Sequence, residues 1–472
     1  MSLLPQLGRW LRRVLEAIPV RHLPPVPALL LVGLALSVVL ALRSQVGGDQ
    51  LNMLARGWLF TQGQWVHIGM TTSANGKAPG GALSVLAGLP LLLWRDHRAV
   101  ALMVAAAHLL AFIVLDRLLR RTGGETERRL FALVYWLGPW RLLYSAHVWN
   151  ANLLPVFAAL HLATSFAMRH QRRLTITALH VLALGVCAQI HASAAMLVLL
   201  SALLVLTRTV RVHWGGAAIG AALLAASLIP WVEEVVANPH LLPAGKGFPL
   251  RGLLLVFPLL RGVLMWVRLP SLFITSRMQR YDFAGLVGEP ANGLFVPLAT
   301  ALAWLVGLAS LAVPVLALAW LVWRGRRLGW RPAGALGNRP WLLRYLQLTF
   351  AASLLAFAAS PTTPMIWQGF VLLPAAALLL VLWSSVVARA GWDLFLPRVA
   401  ALWLAGALLL TCLAAAGAPM YRRGGRHPVT AVLAHDHPML HDLNIVATTS
   451  VRVGEDGSFT PDVFLPNPAE GR

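Results

Sequence analysis

Residues 81–94 read Gly81-Ala82-Leu83-Ser84-Val85-Leu86-Ala87-Gly88-Leu89-Pro90-Leu91-Leu92-Leu93-Trp94. As a helix this stretch is about 21 Å long, short of the ~30 Å hydrocarbon layer of a bilayer. Whether it crosses decides the side of every loop that follows. The rest of the chain makes the question a membrane one. Of its 472 residues, 58% are hydrophobic and 12% charged, and the mean hydropathy is +0.70. Soluble domains carry about 25% charged residues, so this composition excludes a soluble globular chain.

Eleven segments are apolar and long enough, or nearly so, to cross: 26–43, 99–119, 129–145, 153–169, 174–191, 193–208, 215–232, 294–323, 341–359, 369–388 and 399–418. The stretches 79–94 and 250–273 are doubtful, the first for its length. The second carries Arg251, Arg261 and Arg268 with Pro258 and Pro270, and reads as interfacial. Arginine placement tests this reading. With neither stretch crossing, one side collects Arg117, Arg120, Arg121, Arg128 and Arg129, then Arg169, Arg172 and Arg173, then Arg208 and Arg211, then Arg324 to Arg344, then Arg389 and Arg398. The short loops near 146–152, 189–193 and 360–368 have no Lys or Arg. That bias puts the N-terminus in the cytoplasm and the C-terminus outside. A crossing at 81–94 alone would invert every later loop. The expected fold is therefore all-α and integral to the membrane, with about eleven transmembrane helices and additional interfacial helices.

The net charge of +22 suggests nucleic acid at first sight, but the charges cluster between apolar runs, where basic membrane loops explain them. Only two of the 39 basic residues are lysines, Lys77 and Lys246. Cys187 and Cys412 both lie in apolar segments, so neither a disulfide framework nor a zinc pattern is available. Residues 1–20 have arginines but no long apolar run, and read as a cytoplasmic interfacial lead-in. The expected organisation is a transmembrane domain over 1–418, with outer loops at 44–98 and 233–293, and an extracytoplasmic tail over 419–472. In the tail, 448–453, 454–457 and 458–460 read as strand, turn and strand.

The first outer loop is the richest in chemistry. Asp49 stands just past the first span, and Leu51, Leu54, Ala55 and Trp58 follow at the spacing of one helical face. Asp49 would serve equally as the N-cap of that helix. Asn75-Gly76-Lys77-Ala78-Pro79-Gly80 comes next. Lys77 is suited to bind a lipid-linked phosphate, or to snorkel at the interface. Further on come Asp96-His97-Arg98, Tyr144-Ser145-Ala146-His147-Val148-Trp149-Asn150-Ala151-Asn152 and Gln189-Ile190-His191.

This order and sidedness resembles the GT-C glycosyltransferases, closest to the branch of protein O-mannosyltransferases and aminoarabinose transferases. The resemblance covers residues 26–210. It departs at the loop start, where the family often has Asp-Glu and this chain has Asp49-Gln50, and at Lys77-Ala78-Pro79 in place of Lys-Pro-Pro. It implies a GT-C-like helical bundle, and the strong preference for Arg over Lys suggests a GC-rich genome and hence a bacterial cytoplasmic (inner) membrane. The resemblance also implies an outward-facing site and a sugar donor on polyprenyl phosphate, transferred with inversion. The acceptor would be a lipid, glycan or protein.

On that reading the phosphate leaves and needs cations, while the acceptor hydroxyl needs a base. Asp49 is the candidate base. Lys77 and Arg98, with Arg56 behind them, are candidates for the donor phosphate. His147, Trp149, Asn150, Asn152 and His191 are candidates for sugar or acceptor, although the two asparagines would also cap the helix after them. No metal ligand set is read and no cofactor is expected, though a divalent cation on Asp49 is compatible with the resemblance. In the tail, His435-Asp436-His437 and His441-Asp442 could bind a divalent ion, although exposed His/Asp runs are usually solvated. Two rival readings stand beside this one. A lipid-pyrophosphate-dependent glycan ligase or polymerase would rely on arginines in 251–280. A transporter of lipid-linked sugars would place ionisable groups mid-span, where this chain has chiefly His108, His161 and His180.

Overall fold

The computed structural model describes residues 13, 16–20, 22–44, 46, 49–70, 77–239, 256–274, 281–328, 336–360, 364–416, 418–419, 438–445, 452–453 and 459–460. Helix dominates them: α1 Val26–Leu42, α2 Asp49–Thr61, α3 Ala82–Leu93, α4 His97–Thr122, α5 Glu125–Phe131, α6 Pro139–Ser145, α7 Leu154–Ala167, α8 Leu174–Ile190, α9 Ala194–Leu206, α10 Trp214–Ala237, α11 Val256–Arg268, α12 Ala284–Val287, α13 Glu289–Leu328, α14 Asn338–Ala358, α15 Leu373–Val387, α16 Leu396–Ala416 and α17 Pro438–Asp442. Two antiparallel pairs of two-residue strands complete the set. β1 (Tyr281–Asp282) pairs with β2 (Ala418–Pro419), and β3 (Arg452–Val453) pairs with β4 (Phe459–Thr460). The second pair falls on the strands read in the tail; residues 454–458 between them lie outside the described residues.

Helix occupies each of the eleven apolar stretches. Among the described residues, six helices are long and apolar enough to cross a membrane: 97–122, 214–237, 290–324, 338–358, 366–390 and 396–416. The shorter α1, α8 and α9 have 17, 17 and 13 residues. The third stretch is broken into α5, a π turn at 132–136 and α6. The cause is local: Gly138 is extended (ψ 129°), and Pro139 has no N–H to continue the ladder. The tenth begins as a 3-10 segment over 366–372, with a proline following in the first turn of α15.

The decisive stretch 81–94 forms the short apolar helix α3, with Leu89, Leu92 and Leu93 exposed, and both of its flanks meet the same end of the bundle. At its start, Gly80 abuts the side chain of Gln189. Beyond its end, His97 Nε2 lies 3.3 Å from the carbonyl of Ser44. The chain on both sides of α3 therefore returns to one end of the bundle, and α3 packs against α2, where Gly57 and Gly88 lack the side chains that would hold the two helices apart.

Contacts sort the loops into two ends. At one end Asp116, Arg120, Glu125 and Arg128 form ion pairs, Arg339 pairs with Glu127, and the Asn338 amide donates to the Arg121 carbonyl. These belong to the arginine-rich loops. The other end gathers loop 44–98, the turns near 150, 190 and 365, and α17 of the tail. The central core lies between α4, the 130–146 stretch and α15, and is dense in aromatics: Phe131, Tyr135, Trp136 and Trp140 are almost wholly buried. The Trp136 indole donates to the Leu30 carbonyl at 3.1 Å and lies against Gly33, which fixes α1 on this core. A second apolar cluster, around Leu51, Leu54, Leu83, Ala87 and Val100, gives the outer loop its own core.

Candidate active site

Helix α2 positions the candidate base. Leu51, Met53, Leu54, Ala55 and Gly57 are buried, whereas Asp49 in the first turn is exposed. The helix begins at Asp49 itself, so the carboxylate lies in the first turn, where it complements the helix dipole. Its Oδ2 accepts a hydrogen bond of 3.2 Å from the indole N–H of Trp149. Two residues singled out in the sequence, 100 positions apart, thus meet.

From Trp149 a closed circuit of contacts runs back to α2. Asn150 donates its amide to the Ile190 carbonyl at 2.9 Å. Beside Ile190, Gln189 packs on Gly80 and donates to Ser227 Oγ at 3.0 Å. Gly80 has φ +80°, a conformation in which a side chain would be strained even without Gln189 in the way. The segment leading to Gly80 carries Lys77 and Ala78. Ala78 exchanges backbone hydrogen bonds with Gly69 and Met70, at 2.8 and 2.9 Å. Arg56 closes the circuit. Its guanidinium donates to the carbonyls of Ile68, Gly69 and Asn52, each at 3.2 Å.

The candidates divide by what already engages them. Arg56 is a loop clamp; burial lowers its pKa to about 10, which leaves it cationic at neutral pH. Asn150 and Asn152 are buried and donate to the Ile190 and His147 carbonyls, so they hold the turn that presents Trp149. The His191 ring accepts from the backbone N–H of Ser193. His147 lies edge-on to Tyr144. Lys77 is half-buried, and among the described residues its ammonium makes no hydrogen bond or ion pair. Trp367 escaped the sequence reading, although its turn did not. Its ring centroid is 5.4 Å from that of Trp149, so a second indole lies against the carboxylate's partner. Residues 361–363, from that same turn, and His435-Asp436-His437 lie outside the described residues.

The mid-span histidines are tied into the helix packing. His161 and His180 share the Ser201 hydroxyl, at 2.8 and 3.0 Å, and reach Tyr345 and Thr164 respectively, both at 2.7 Å. His108 Nε2 lies 2.8 Å from the Asn152 carbonyl. Arg261 donates to the Pro364 carbonyl at 2.8 Å, and Arg268 stacks over Trp140.

Among solved structures, the chain aligns with ArnT from Cupriavidus metallidurans bound to undecaprenyl phosphate. The TM-score is 0.51 and the identity 16%, over 83% of this chain and 76% of that one. The fold is that of ArnT. The apo structure of the same protein aligns at a TM-score of 0.49, with the same identity and coverage. No protein-family model and no curated protein sequence matches the chain. The ArnT fold agrees with the GT-C-like architecture and with the multi-pass membrane character expected from the sequence.

In this ArnT-like chain Arg98 is a partner of Asp96. Its Nε and its second terminal nitrogen donate to the two carboxylate oxygens at 2.8 and 2.6 Å, and its backbone N–H adds a third bond at 2.8 Å. Burial alone would raise the Asp96 pKa, but the bonds from Arg98, with one from Asn444, hold it below the usual range. A depressed carboxyl pKa contributes stability that is complete above the unfolded value and lost as pH falls through the folded one. Acidification from about pH 5 down through the lowered folded value should therefore loosen the start of α4, since free carboxyls titrate near 4. Protection from hydrogen exchange at residues 96–100, taken relative to the intrinsic rate at each pH, should fall across that window in the wild type and stay flat in Asp96→Asn.

Proposed function

We propose that the protein is a membrane glycosyltransferase that moves a sugar from a polyprenyl-phosphate donor to an acceptor at the outer face of a bacterial inner membrane. The single observation that carries the reading is the Asp49 carboxylate, exposed at the loop-bearing end of an ArnT-like fold and oriented by Trp149. The neighbour's bound undecaprenyl phosphate supports a polyprenyl-phosphate carrier. The arginine bias supports eleven crossings, with the N-terminus cytoplasmic and the loop-bearing end outside.

The chemistry follows from the donor. The bond from the anomeric carbon to the phosphate oxygen breaks as the acceptor oxygen attacks from the opposite face, which inverts the centre. Asp49 takes the hydroxyl proton. The departing phosphate ester needs no separate acid, but its growing charge needs a fixed cation. Lys77 fills that place better than Arg56 or Arg98, whose guanidinium groups already serve backbone carbonyls and Asp96. Trp149 and Trp367 offer aromatic faces to a sugar ring.

Purified protein incubated with a panel of radiolabelled polyprenyl-phosphate sugars should transfer or hydrolyse one of them. No turnover with any donor, alongside turnover of a lipid-pyrophosphate glycan, would overturn the reading. Lys77→Ala should raise KM for the donor by about 10- to 100-fold, the value of one charge-assisted hydrogen bond. An unchanged KM would remove Lys77 from the phosphate site.

A further inference from the structure

The tail enters the outer loop through one short segment. Met439, Leu443 and Ile445 are at most 5% exposed and belong to the apolar cluster of Leu51, Leu54 and Val100. The segment also bonds to two separate parts of the loop. Asp442 Oδ2 accepts from the Trp58 indole at 3.0 Å, 384 residues away in sequence. The Leu443 carbonyl accepts from the His97 N–H at 3.0 Å. Asn444 then donates its amide to Asp96 Oδ2 at 3.3 Å. Asn444 has φ +51°, the left-handed conformation that Asn tolerates at a helix end, and this turn separates its direction from that of Asp442. One side chain thus grips α2 while the other grips the start of α4.

We infer that residues 438–445 are a staple that sets the pose of Asp49, with Asp442 as a positioning residue for transfer. Trp58 stands nine residues beyond Asp49 on the same helix, about 14 Å along its axis. A swing of about 10° at the Trp58 end would move the carboxylate by about 2 Å, and misplacement by about 1 Å can cost 10²-fold in rate. The bond from Trp149 to Asp49 itself depends on where α2 points. The catalytic half of this inference rests on the glycosyltransferase reading; the staple itself does not.

The test uses full-length protein in lipid nanodiscs, with Asp442→Ala, Asp442→Asn and Trp58→Phe. Backbone hydrogen exchange is read at 49–61 and, as a control, at 338–358. Turnover is read with the donor found active. Asp442→Ala and Trp58→Phe should raise exchange over 49–61 alone and lower kcat about 10²-fold at unchanged donor KM. Asp442→Asn keeps an oxygen for the indole and should restore both. Unchanged exchange and kcat in the first two variants would overturn the inference. So would exchange that rises equally over 338–358, or a loss that Asp442→Asn does not repair. If the wild type transfers no sugar, the glycosyltransferase reading fails by itself, and exchange over 49–61 still decides the staple.

Discussion

Asp49→Asn should lower sugar transfer by about 10²- to 10⁴-fold, the usual contribution of a positioned general base. The substitution keeps an oxygen that can accept from Trp149, so the α2 contact survives while the basic oxygen is lost. Asp49 is exposed and in the first turn of α2. A carboxylate there stabilises the helix dipole by about 0.5 kcal/mol, so thermal stability should hardly change. The two readouts separate catalysis from capping. A variant that transfers at near wild-type rate, with a small drop in stability, would assign Asp49 to the helix alone. Turnover is measured at saturating donor, so that a change in donor affinity cannot mimic a change in chemistry.

Asp116→Ala should destabilise the protein by about 3 kcal/mol, at the far end of the bundle from Asp49. The Asp116 side chain is 9% exposed, and Arg128, at 16%, donates to both of its oxygens, at 2.7 and 3.1 Å. Removing the carboxylate leaves a largely buried guanidinium with Glu125 as its remaining partner. Arg120 also pairs with Asp116 but is 61% exposed, and water already screens that pair. Replacing both members, as Asp116→Leu with Arg128→Met, should recover most of the loss, because the desolvation cost leaves with the charges. Thermal unfolding in one detergent compares the three proteins. A single-variant loss under about 1 kcal/mol would place this pair with ordinary surface ion pairs.

The helices were readable because hydrophobic length is a local property of sequence. The arginine bias carried more: it kept 81–94 from crossing, and the contacts of Gly80 and His97 at the same end of the bundle agree. Breaks within helices were less legible. Gly138-Pro139 lies inside an apolar run that composition alone reads as continuous. Of the site, Asp49 and Trp149 were each marked for their own chemistry, yet nothing local announced that they touch. Arg98 illustrates the opposite difficulty. A basic residue two positions after Asp96 reads as an available cation, whereas a helix N-cap carboxylate so close is its natural partner. The bonds of Asp442 to Trp58 and Asn444 to Asp96 join positions more than 340 apart, and no periodicity reaches that far.

The brevity of α8 and α9 has a consequence for the lipids around them. At 17 and 13 residues they measure about 26 and 20 Å, against about 30 Å of hydrocarbon. Arg172 and Arg173 precede α8 and can stretch to headgroups on their side, but Gln189, Ile190 and His191 at its other end have no such reach. The shortfall must then be met on that flank by acyl chains that compress or splay. On the proposed topology headgroups would dip toward the bundle there, and the long-tailed carrier of the proposed reaction would bring its phosphate level with the loops while leaving its tail in oil.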